Sequence, residues 1–256
     1  MHTSRRPLFD QFHLVSDLDG SWLPPGTQAS EVRTLVAALG CRECHLTFAT
    51  GRDLASTQEV LRQCGRDPEY LITDVGTAIH RKGLYGWEED LTYRAYLSSR
   101  WDEEKAAKVM ERLPEGIEPQ PNLSPSRRLA LQLTDPEGKG LAKAAKALRA
   151  VLREVGLKAQ VVPSHGRFLE VLPRGVDKGS AVQWLRASDQ IEDPLLVCGD
   201  SENDLAMLKL AAAAVVLPGN GLNLPATVTR SQVHQSSAAG PLGILEALRS
   251  WRLVTA

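Results

Sequence analysis

The sequence has few cysteines, no long apolar run and almost no excess charge of either sign, and each of these absences excludes a class of protein. Four cysteines in 256 residues are too few for the disulfide framework that holds small secreted domains together. No apolar stretch approaches the roughly 18 residues that a membrane-spanning helix needs. Residues 1–12 lack the hydrophobic stretch of a secretory signal. We therefore expect a cytoplasmic protein without a membrane partner.

Acidic and basic residues nearly cancel, which gives a formal net charge of -1. The composition therefore indicates neither a nucleic acid nor an anionic membrane surface as partner. Any binding site for an anion must be local. Apolar residues make up 43% of the chain, which is enough for the core of one large domain or two smaller ones.

Cys41 and Cys44, followed by His45, match the C-x-x-C-H pattern of c-type haem attachment. Haem attachment normally requires export and a second axial ligand. A zinc site would need four convergent ligands, and no second pair has the required spacing. We expect neither group at this position.

Short apolar runs alternate with helix-period segments at both ends of the chain, which is typical of βαβ units and a parallel sheet. The predicted strands are 12–17, 45–49, 70–73, 195–198 and 214–217, and the predicted helices are 29–39, 53–64, 178–187, 203–212 and 241–250.

The middle of the chain has a different pattern. Strand-like segments at 128–133, 159–162 and 168–172 alternate apolar and polar residues, as in an antiparallel sheet with one solvated face. Helix-like segments cover 101–113 and 140–154. The prediction is an α/β protein with a Rossmann-like, doubly wound parallel sheet core. Residues 1–81 and 175–256 form this core, and residues 82–174 form an inserted α/β domain that contains the antiparallel sheet.

Asp17 and Asp19 follow the first predicted strand, at the sheet edge where open α/β proteins bind ligands. Two adjacent carboxylates repel each other unless they share a cation or a proton, so the pair indicates a metal site or acid-base chemistry. A solvated Asp-x-Asp-Gly turn is the simpler alternative for this pattern alone.

Three later segments occupy equivalent positions. Thr50, Gly51 and Arg52 lie between a strand and a helix, where a hydroxyl and backbone amides can bind phosphate, although a helix cap would use the same residue types. Lys178 begins a predicted helix and could neutralise a phosphoryl oxygen, although a lone lysine is usually solvated.

The last segment, Gly199 to Asp204, again follows a strand and opens a helix. Asp200 and Asp204 are four residues apart, so both carboxylates can reach one cation, and Asn203 can orient groups around it. Capping alone explains one of these acids but not the set. The four segments together indicate a magnesium-dependent site for phosphoryl transfer.

In this order the four motifs resemble those of the haloacid dehalogenase-like phosphatases, which are Asp-x-Asp-x-Thr, then Ser or Thr, then Lys, then Gly-Asp-x-x-x-Asp. The match includes an insertion between the second and third motifs, where that superfamily carries its large α/β cap. Ser21 stands in place of the usual threonine and keeps the hydroxyl. The resemblance implies an enzyme, a phosphoric monoester hydrolase.

By this resemblance Asp17 is the nucleophile that forms an aspartyl-phosphate. Asp19 protonates the leaving oxygen and later deprotonates water. Lys178 and Thr50 are implied to stabilise the phosphoryl oxygens. The implied set that binds the phosphate and substrate is Asp17, Thr50, Gly51, Arg52, Lys178 and Asn203.

Mg²⁺ is the cofactor that the resemblance implies. Its ligands would be Asp17, Asp200 and the main-chain carbonyl of Asp19, with Asp204 ligating the ion or supporting its ligands.

A narrower resemblance is to the sucrose-phosphate phosphatases and their relatives that act on other disaccharide phosphates. It implies a small-molecule sugar phosphate as substrate, such as sucrose 6-phosphate, with mannosylfructose phosphate and glucosyl- or mannosyl-glycerate phosphate as alternatives. The segments that carry it are Trp22, Ala49 to Arg52, Val75 to Ile79, Asp177 to Gly179, Leu196 to Asp204 and Gln235 to Gly240.

The inserted domain matches less well. The sucrose-specific enzymes carry an Asn-Pro-Trp-Lys-like stretch where this chain has Ser124-Pro125-Ser126-Arg127-Arg128. Arg127 and Arg128 are therefore candidates for contacts with sugar hydroxyls or phosphate, and a solvated strand edge explains them equally well.

A non-enzymatic phospho-acceptor switch similar to a response-regulator receiver is the remote alternative, because it also combines an aspartate, a hydroxyl, a lysine and Mg²⁺ on a parallel sheet. A receiver needs only about half this length and lacks the Gly-Asp-x-x-Asn-Asp segment. We expect an enzyme that is a monomer or a weak homo-oligomer.

Overall fold

A computed structural model describes residues 7–40, 43–121, 127–219, 222 and 232–254. The strands in these ranges are β1 (Phe12–Ser16), β2 (Cys44–Ala49), β3 (Tyr70–Thr73), β4 (Ala78–Gly83), β5 (Gly86–Glu89), β6 (Ile117–Pro119), β7 (Leu129–Leu133), β8 (Ala159–Ser164), β9 (Phe168–Pro173), β10 (Leu195–Gly199), β11 (Ala213–Val216) and β12 (Gln232–Gln235). The helices are α1 (Ala29–Leu39), α2 (Leu54–Leu61), α3 (Leu91–Ser98), α4 (Glu103–Met110), α5 (Leu141–Val155), α6 (Lys178–Ser188), α7 (Leu205–Leu208) and α8 (Gly240–Ser250).

The large sheet has the strand order β12-β11-β10-β1-β2-β3-β4-β5. The strands from β12 to β3 pair in parallel, and the last two pairings, with β4 and β5, are antiparallel. β1 lies in the middle and is buried along its whole length. A central parallel strand covered on both faces needs apolar residues on both sides, which explains its continuous apolar run.

Helices cover both faces of this sheet. Phe12 and Leu14 of β1 belong to the core cluster that includes residues of α1 and α8, whereas Val15 belongs to the cluster that includes α3, α6 and α7. Successive side chains of a strand point to opposite faces, so one strand contributes to both cores. The predicted doubly wound architecture is confirmed.

The second sheet is antiparallel and has the order β6-β7-β9-β8. One face packs against α4 and α5 through a separate apolar cluster that includes Leu131, Leu148 and Leu169. The other face is turned to the large sheet, because residues of β8 and β9 line a cavity together with residues that follow β1. The predicted α/β fold with an additional antiparallel sheet is confirmed.

The observed elements differ from the sequence-based prediction in three respects. The hairpin of β4 and β5 and the helix α3 were not predicted, and β5 extends the large sheet to Glu89. The proposed boundary near Gly83 therefore falls inside this hairpin, and the division of the chain into domains remains a proposal. The short strands β6 and β12 were not predicted either.

The third difference is the helix predicted over 203–212, which is wrong in length, because α7 ends at Leu208. The backbone amide of Ala212 donates a hydrogen bond to Leu195 O at 2.8 Å, and β11 begins at the next residue. Sheet pairing therefore overrides the helix propensity of the alanine-rich segment. No helix in the described ranges has the length and hydropathy needed to cross a membrane.

Candidate active site

The acidic motifs meet at the carboxyl ends of two adjacent parallel strands. Asp17 directly follows β1 and Asp200 directly follows β10, and the two strands are paired in the sheet. Asp204 ends the 3₁₀ turn Glu202–Asp204 that follows β10. One carboxylate oxygen from each of these three buried residues lies within 4.8 Å of the others. The strand pairing therefore joins acids that are far apart in the sequence.

Lys178 supplies a positive charge inside this cluster. It is the first residue of α6, and its fully buried Nζ lies 2.6 Å from Asp17 Oδ1 and 2.7 Å from Asp204 Oδ1. Burial alone would lower the pKa of Lys178, but the two carboxylates raise it above its ordinary value. The lysine is therefore an ammonium held between two carboxylates.

Three carboxylates around one ammonium leave an excess of negative charge. Burial raises the pKa of Asp17 well above its usual range despite the nearby ammonium of Lys178. Burial, together with the charge of Asp204, raises the pKa of Asp200 to about 7. These directions indicate that the cluster needs a further cation or a proton.

The donor set fits Mg²⁺. Asp17 Oδ2 is buried, and none of the described residues forms a hydrogen bond with it. Asp200 Oδ1 accepts a long hydrogen bond, of 3.4 Å, from Ser21 Oγ. Carboxylate oxygens are the ligands that Mg²⁺ prefers in proteins, so these two residues have oxygens suited to hold the ion.

Asp204 is bound more tightly by the protein. Its Oδ2 accepts hydrogen bonds from the backbone amides of Asp200 at 3.0 Å and Ser201 at 3.1 Å, and its Oδ1 accepts one from Lys178. Since both oxygens already have donors, Asp204 is better suited to orient the loop and the lysine than to be a principal ligand.

Asp19 lies outside the carboxylate cluster. Its side chain accepts two hydrogen bonds from Arg52, from Nε at 2.8 Å and from Nη2 at 2.7 Å. The side chains of Asp19 and Arg52 are 41% and 33% exposed. This pairing keeps the Asp19 carboxylate away from the metal candidates, and it leaves unaffected the expectation that its main-chain carbonyl is a ligand.

The loop after β2 places Thr50 and Gly51 next to these groups. Thr50 is buried, and its Oγ1 accepts a hydrogen bond from the backbone amide of Arg52 at 3.1 Å. The cap of α2 is Asp53, whose carboxylate accepts from the backbone amide of Ser56 at 2.8 Å. Capping therefore accounts for Asp53 and leaves Thr50 without that explanation.

A cavity of about 280 Å³ separates these motifs from the antiparallel sheet. On the side of the large sheet, the cavity is lined by residues that the sequence motifs predicted. On the side of the antiparallel sheet, it is lined by residues that no motif indicated. The lining includes Asp17, Asp19, Gly51, Arg52 and Asn203 on one side and Gln120, Ser164, His165, Phe168 and Glu170 on the other.

Comparisons with known proteins show the family of the chain. The family model of sucrose-6F-phosphate phosphohydrolases matches residues 10–252. The chain belongs to this family. As a member of the sucrose-6F-phosphate phosphohydrolase family, it is a phosphoric monoester hydrolase of the haloacid dehalogenase superfamily and a phosphatase of sugar phosphates.

Individual relatives cover most of the chain. It is 32% identical to the mannosylfructose-phosphate phosphatase of Agrobacterium fabrum over 250 residues, which is 94% of this chain and 96% of that protein. It is 27% identical to the probable sucrose-phosphatase 3a of Arabidopsis thaliana over 216 residues, which is 81% of this chain and 50% of that protein. The chain thus spans about half the length of this plant relative.

A solved structure of the sucrose-phosphatase from Synechocystis, in complex with sucrose and phosphate, has the same fold. It superimposes with a TM-score of 0.73 at 26% identity and covers 94% of this chain and 98% of that one. Family, fold class and enzyme class were predicted from the sequence and are confirmed.

The family motifs do not account for the two arginines at the start of β7. Arg128 is buried and forms ion pairs with Asp74 and Glu170, so a solvated strand edge is wrong for it. Arg127 Nε donates to Ser98 Oγ at 3.0 Å and its Nη1 to Glu89 at 3.4 Å. Arg127 is therefore bound to residues of α3 and β5, whereas Arg128 is bound to Asp74 and to Glu170 of the smaller sheet.

The sequence motifs also did not indicate four residues of the cavity wall, which are Gln120, His165, Phe168 and Glu170. They lie on or next to short strands whose alternation predicts an exposed face but no ligand. Of the C-x-x-C-H segment, Cys41 lies outside the described residues, as do residues 122–126. Cys44 is buried, burial raises its thiol pKa, and its Sγ lies 3.4 Å from Arg66 Nη1.

Proposed function

We propose that the protein is a Mg²⁺-dependent phosphatase that hydrolyses a sugar phosphate, in particular a disaccharide phosphate, through an aspartyl-phosphate at Asp17. The observation that carries this proposal is the state of Asp17. One of its oxygens is bound to Lys178 at 2.6 Å, the other has no partner among the described residues, and the residue lines the cavity. A carboxylate held at one oxygen and unbound at the other is suited to attack phosphorus.

The proposed first step forms a bond between an Asp17 oxygen and phosphorus and breaks the ester bond between phosphorus and the sugar oxygen. Asp19 donates a proton to that oxygen as the sugar leaves. In the second step Asp19 takes a proton from water, the water oxygen attacks phosphorus, and Asp17 is released together with inorganic phosphate. Two observations support these roles: Asp19 lines the same cavity as Asp17, and its side chain is partly exposed.

The other residues bind and orient. In this proposal Lys178, which binds Asp17, and Thr50 neutralise and hold the phosphoryl oxygens. Gly51 and Asn203, which line the cavity, bind the phosphate with them. Arg52 holds the Asp19 carboxylate at both oxygens and so fixes its direction. Asp17, Asp200 and the main-chain carbonyl of Asp19 would hold Mg²⁺, with Asp204 orienting the loop and Lys178 beside them; when bound, the ion supplies charge neutralisation for the transferred phosphoryl group.

The proposed leaving group is a sugar because the facing wall of the cavity is polar and contains one aromatic side chain. Gln120, Ser164 and His165 offer donors and acceptors for hydroxyl groups, and Phe168 offers an apolar face. The similarity to the mannosylfructose-phosphate phosphatase of Agrobacterium fabrum over nearly the full length of both chains supports a disaccharide phosphate. Glucosyl-glycerate phosphate and mannosyl-glycerate phosphate are the alternative substrates.

The test is release of inorganic phosphate from a panel that contains sucrose 6-phosphate, mannosylfructose phosphate, glucosyl- and mannosyl-glycerate phosphates and monosaccharide phosphates. We expect activity with Mg²⁺, loss in EDTA, and the highest kcat/KM on a disaccharide phosphate. Highest activity on a monosaccharide phosphate would contradict the substrate class.

The intermediate is tested separately with Asp17→Asn. The amide is nearly isosteric, so we expect a folded protein without turnover, and trapping with beryllofluoride should succeed only on the wild-type chain. Asp67→Asn is the control, because Asp67 is an exposed acid whose contact is with Lys82. Appreciable hydrolysis by Asp17→Asn would contradict covalent catalysis by this residue.

A further inference from the structure

Arg128 connects the antiparallel sheet to the loops that carry the phosphate-binding residues. Its Nη1 donates to Glu170 Oε2 on β9 at 2.7 Å, its Nε to Asp74 Oδ1 at 3.1 Å, and its Nη2 to the carbonyl oxygen of Gly51 at 3.0 Å. The side chain is only 2% exposed. One guanidinium therefore binds a strand of the smaller sheet and two separate loops of the larger one.

The two loops that Arg128 touches are themselves joined. The backbone amide of Asp74 donates to Arg52 O at 2.8 Å, and that of Val75 donates to Thr50 O at 3.0 Å. Asp74 and Val75 have φ values of 54° and 57°, in the left-handed region that non-glycine residues adopt only at an energetic cost. Contacts around this segment must hold it there, and the ion pair between Arg128 and Asp74 is one of them.

Because Asp74 and Glu170 are buried, their carboxylates depend on the Arg128 guanidinium for a neutralising charge. Burial raises the pKa of Asp74 and of Glu170, and in both cases Arg128 opposes the shift. Glu170 also accepts a hydrogen bond from Gln120 Nε2 at 3.0 Å, and both residues line the cavity. Removal of the arginine would leave two buried carboxylates without their cation, Glu170 on β9 and Asp74 in the loop after β3.

We propose that Arg128 is a positioning residue that couples the placement of the antiparallel sheet to the geometry of the phosphate loop formed by Thr50, Gly51 and Arg52. When the smaller sheet is seated, Arg128 fixes Gly51 and Asp74, and through their backbone contacts it holds Thr50 and Arg52 in place for the phosphate. When the sheet moves away, the loop loses this support. This proposal rests on the proposed function for the role of the loop, and on the geometry alone for the coupling.

The direct test compares Arg128→Met and Arg128→Lys with Arg127→Met. Arg127 is a matched control because it is the adjacent arginine and also reaches the large sheet, at Glu89, without touching the phosphate loop. For Arg128→Met we expect kcat/KM on the best sugar phosphate to fall about 100-fold, the effect of a displaced loop, and affinity for inorganic phosphate with Mg²⁺ to fall about tenfold by calorimetry. Arg128→Lys keeps the charge, but an ammonium lacks the planar fork of donors that reaches three partners. Its kcat/KM and phosphate affinity should therefore stay close to those of Arg128→Met. Arg127→Met should stay within about twofold of wild type.

Hydrogen exchange of the ligand-free protein gives a readout that does not depend on activity. Amides in segments 50–54 and 73–77 should exchange at least tenfold faster in Arg128→Met than in Arg127→Met. Unchanged exchange and unchanged phosphate affinity in a folded Arg128→Met would overturn the proposal, as would full rescue by lysine. If the wild-type chain releases no phosphate from any substrate, the proposed function fails, while the exchange comparison still decides whether the coupling exists.

Two unpaired buried carboxylates could prevent Arg128→Met from folding. The triple variant Arg128→Met, Asp74→Asn, Glu170→Gln removes those charges and keeps similar shapes, so it should fold. Its phosphate loop would still lack the guanidinium, so fast exchange of 50–54 and weak phosphate binding are expected there as well. A folded triple variant with wild-type phosphate affinity would overturn the proposal.

Discussion

Gly20 lies at a position of the site where any side chain would collide with a predicted metal ligand. Its φ is +89°, and a Cβ built there would lie 2.3 Å from Asp200 Oδ2. A Cβ at Gly219 would lie 2.7 Å from the same oxygen. Two glycines therefore leave the space that the Asp200 carboxylate occupies.

Gly20→Ala should lower the affinity for Mg²⁺, whereas the same substitution at a glycine away from Asp200 should not. The matched control is Gly26→Ala, because Gly26 has a similar φ of +85° and no atom near its Cβ position. Both variants should lose about 1–2 kcal/mol of folding free energy from left-handed strain. Only Gly20→Ala should also show Mg²⁺ affinity lowered about tenfold or more, as expected when a group that orients a ligand is disturbed. Equal Mg²⁺ affinities in calorimetric titrations of the two variants would contradict this.

Arg52→Met should reduce turnover far more than stability. The pair between Arg52 and Asp19 is partly exposed, so its loss should cost less than about 1 kcal/mol in urea unfolding. Turnover should fall about tenfold or more, because the acid and base loses its orientation. Lys82→Met is the control, because it removes an exposed ion pair with Asp67. It should lower the free energy of unfolding by a similar amount and keep wild-type turnover. Wild-type kcat in Arg52→Met would show that Asp19 needs no partner.

At the scale of single elements, α6 matters because its first residue is Lys178. Asp177 caps this helix by accepting from the backbone amide of Ser180 at 2.8 Å, and Ser180 Oγ accepts from the amide of Asp177 at 2.9 Å. The lysine can lie between two buried carboxylates only if the helix begins at this residue. The cap therefore connects a local folding signal to the charge of the site.

Asp177→Ala should lower both stability and turnover, whereas Asp102→Ala should lower stability alone. Asp102 caps α4 in the same way, accepting from the backbone amide of Lys105 at 3.0 Å, but it does not line the cavity of the site. Each substitution should cost about 1 kcal/mol. Turnover of Asp177→Ala should fall about tenfold because Lys178 shifts, and Asp102→Ala should keep wild-type kcat/KM. Equal turnover in two variants of equal thermal stability would contradict the link between cap and lysine.

Elements with strong local signals were predictable. β1 and β10 are continuous apolar runs followed by acids, and α8 has a clear amphipathic pattern, so their positions agree with the prediction within one or two residues. β4 and β5 were missed because they mix charged residues with apolar ones at the edge of the sheet. An edge strand needs little apolar content, so its hydropathy pattern is weak.

At the scale of the whole molecule, the acids of the site could be predicted because each follows a core strand, and parallel strands end at one edge. The facing wall could not be predicted in this way. Arg128 binds Asp74 and Glu170, which lie 54 and 42 residues away, and such contacts depend on how the two sheets are seated. The alternation of polar and apolar residues in β7 and β9 indicates which face of the smaller sheet is polar. It does not indicate which residues of the large sheet that face contacts.

The acid sensitivity of the whole fold should depend on His13, a buried residue of β1 that has no role in the site. Its Nε2 lies 2.7 Å from Thr47 Oγ1, and its Nδ1 lies 3.3 Å from Arg186 Nη1. Burial, followed by the charges of Arg186 and His45, lowers the pKa of His13 from 6.5 to about 3. The folded protein therefore keeps this ring neutral at a pH where the unfolded chain takes up a proton.

A lowered histidine pKa gives stability that is present above pH 6.5 and is lost as the pH falls from about 6.5 towards 3. Between pH 6.5 and 4.5 this single group should remove about 2 kcal/mol of unfolding free energy. In His13→Gln, urea unfolding at pH 6.5, 5.5 and 4.5 should therefore show a shallower loss by about that amount, even though the variant is less stable at pH 7. A wild-type slope in His13→Gln would mean that other groups cause the acid sensitivity.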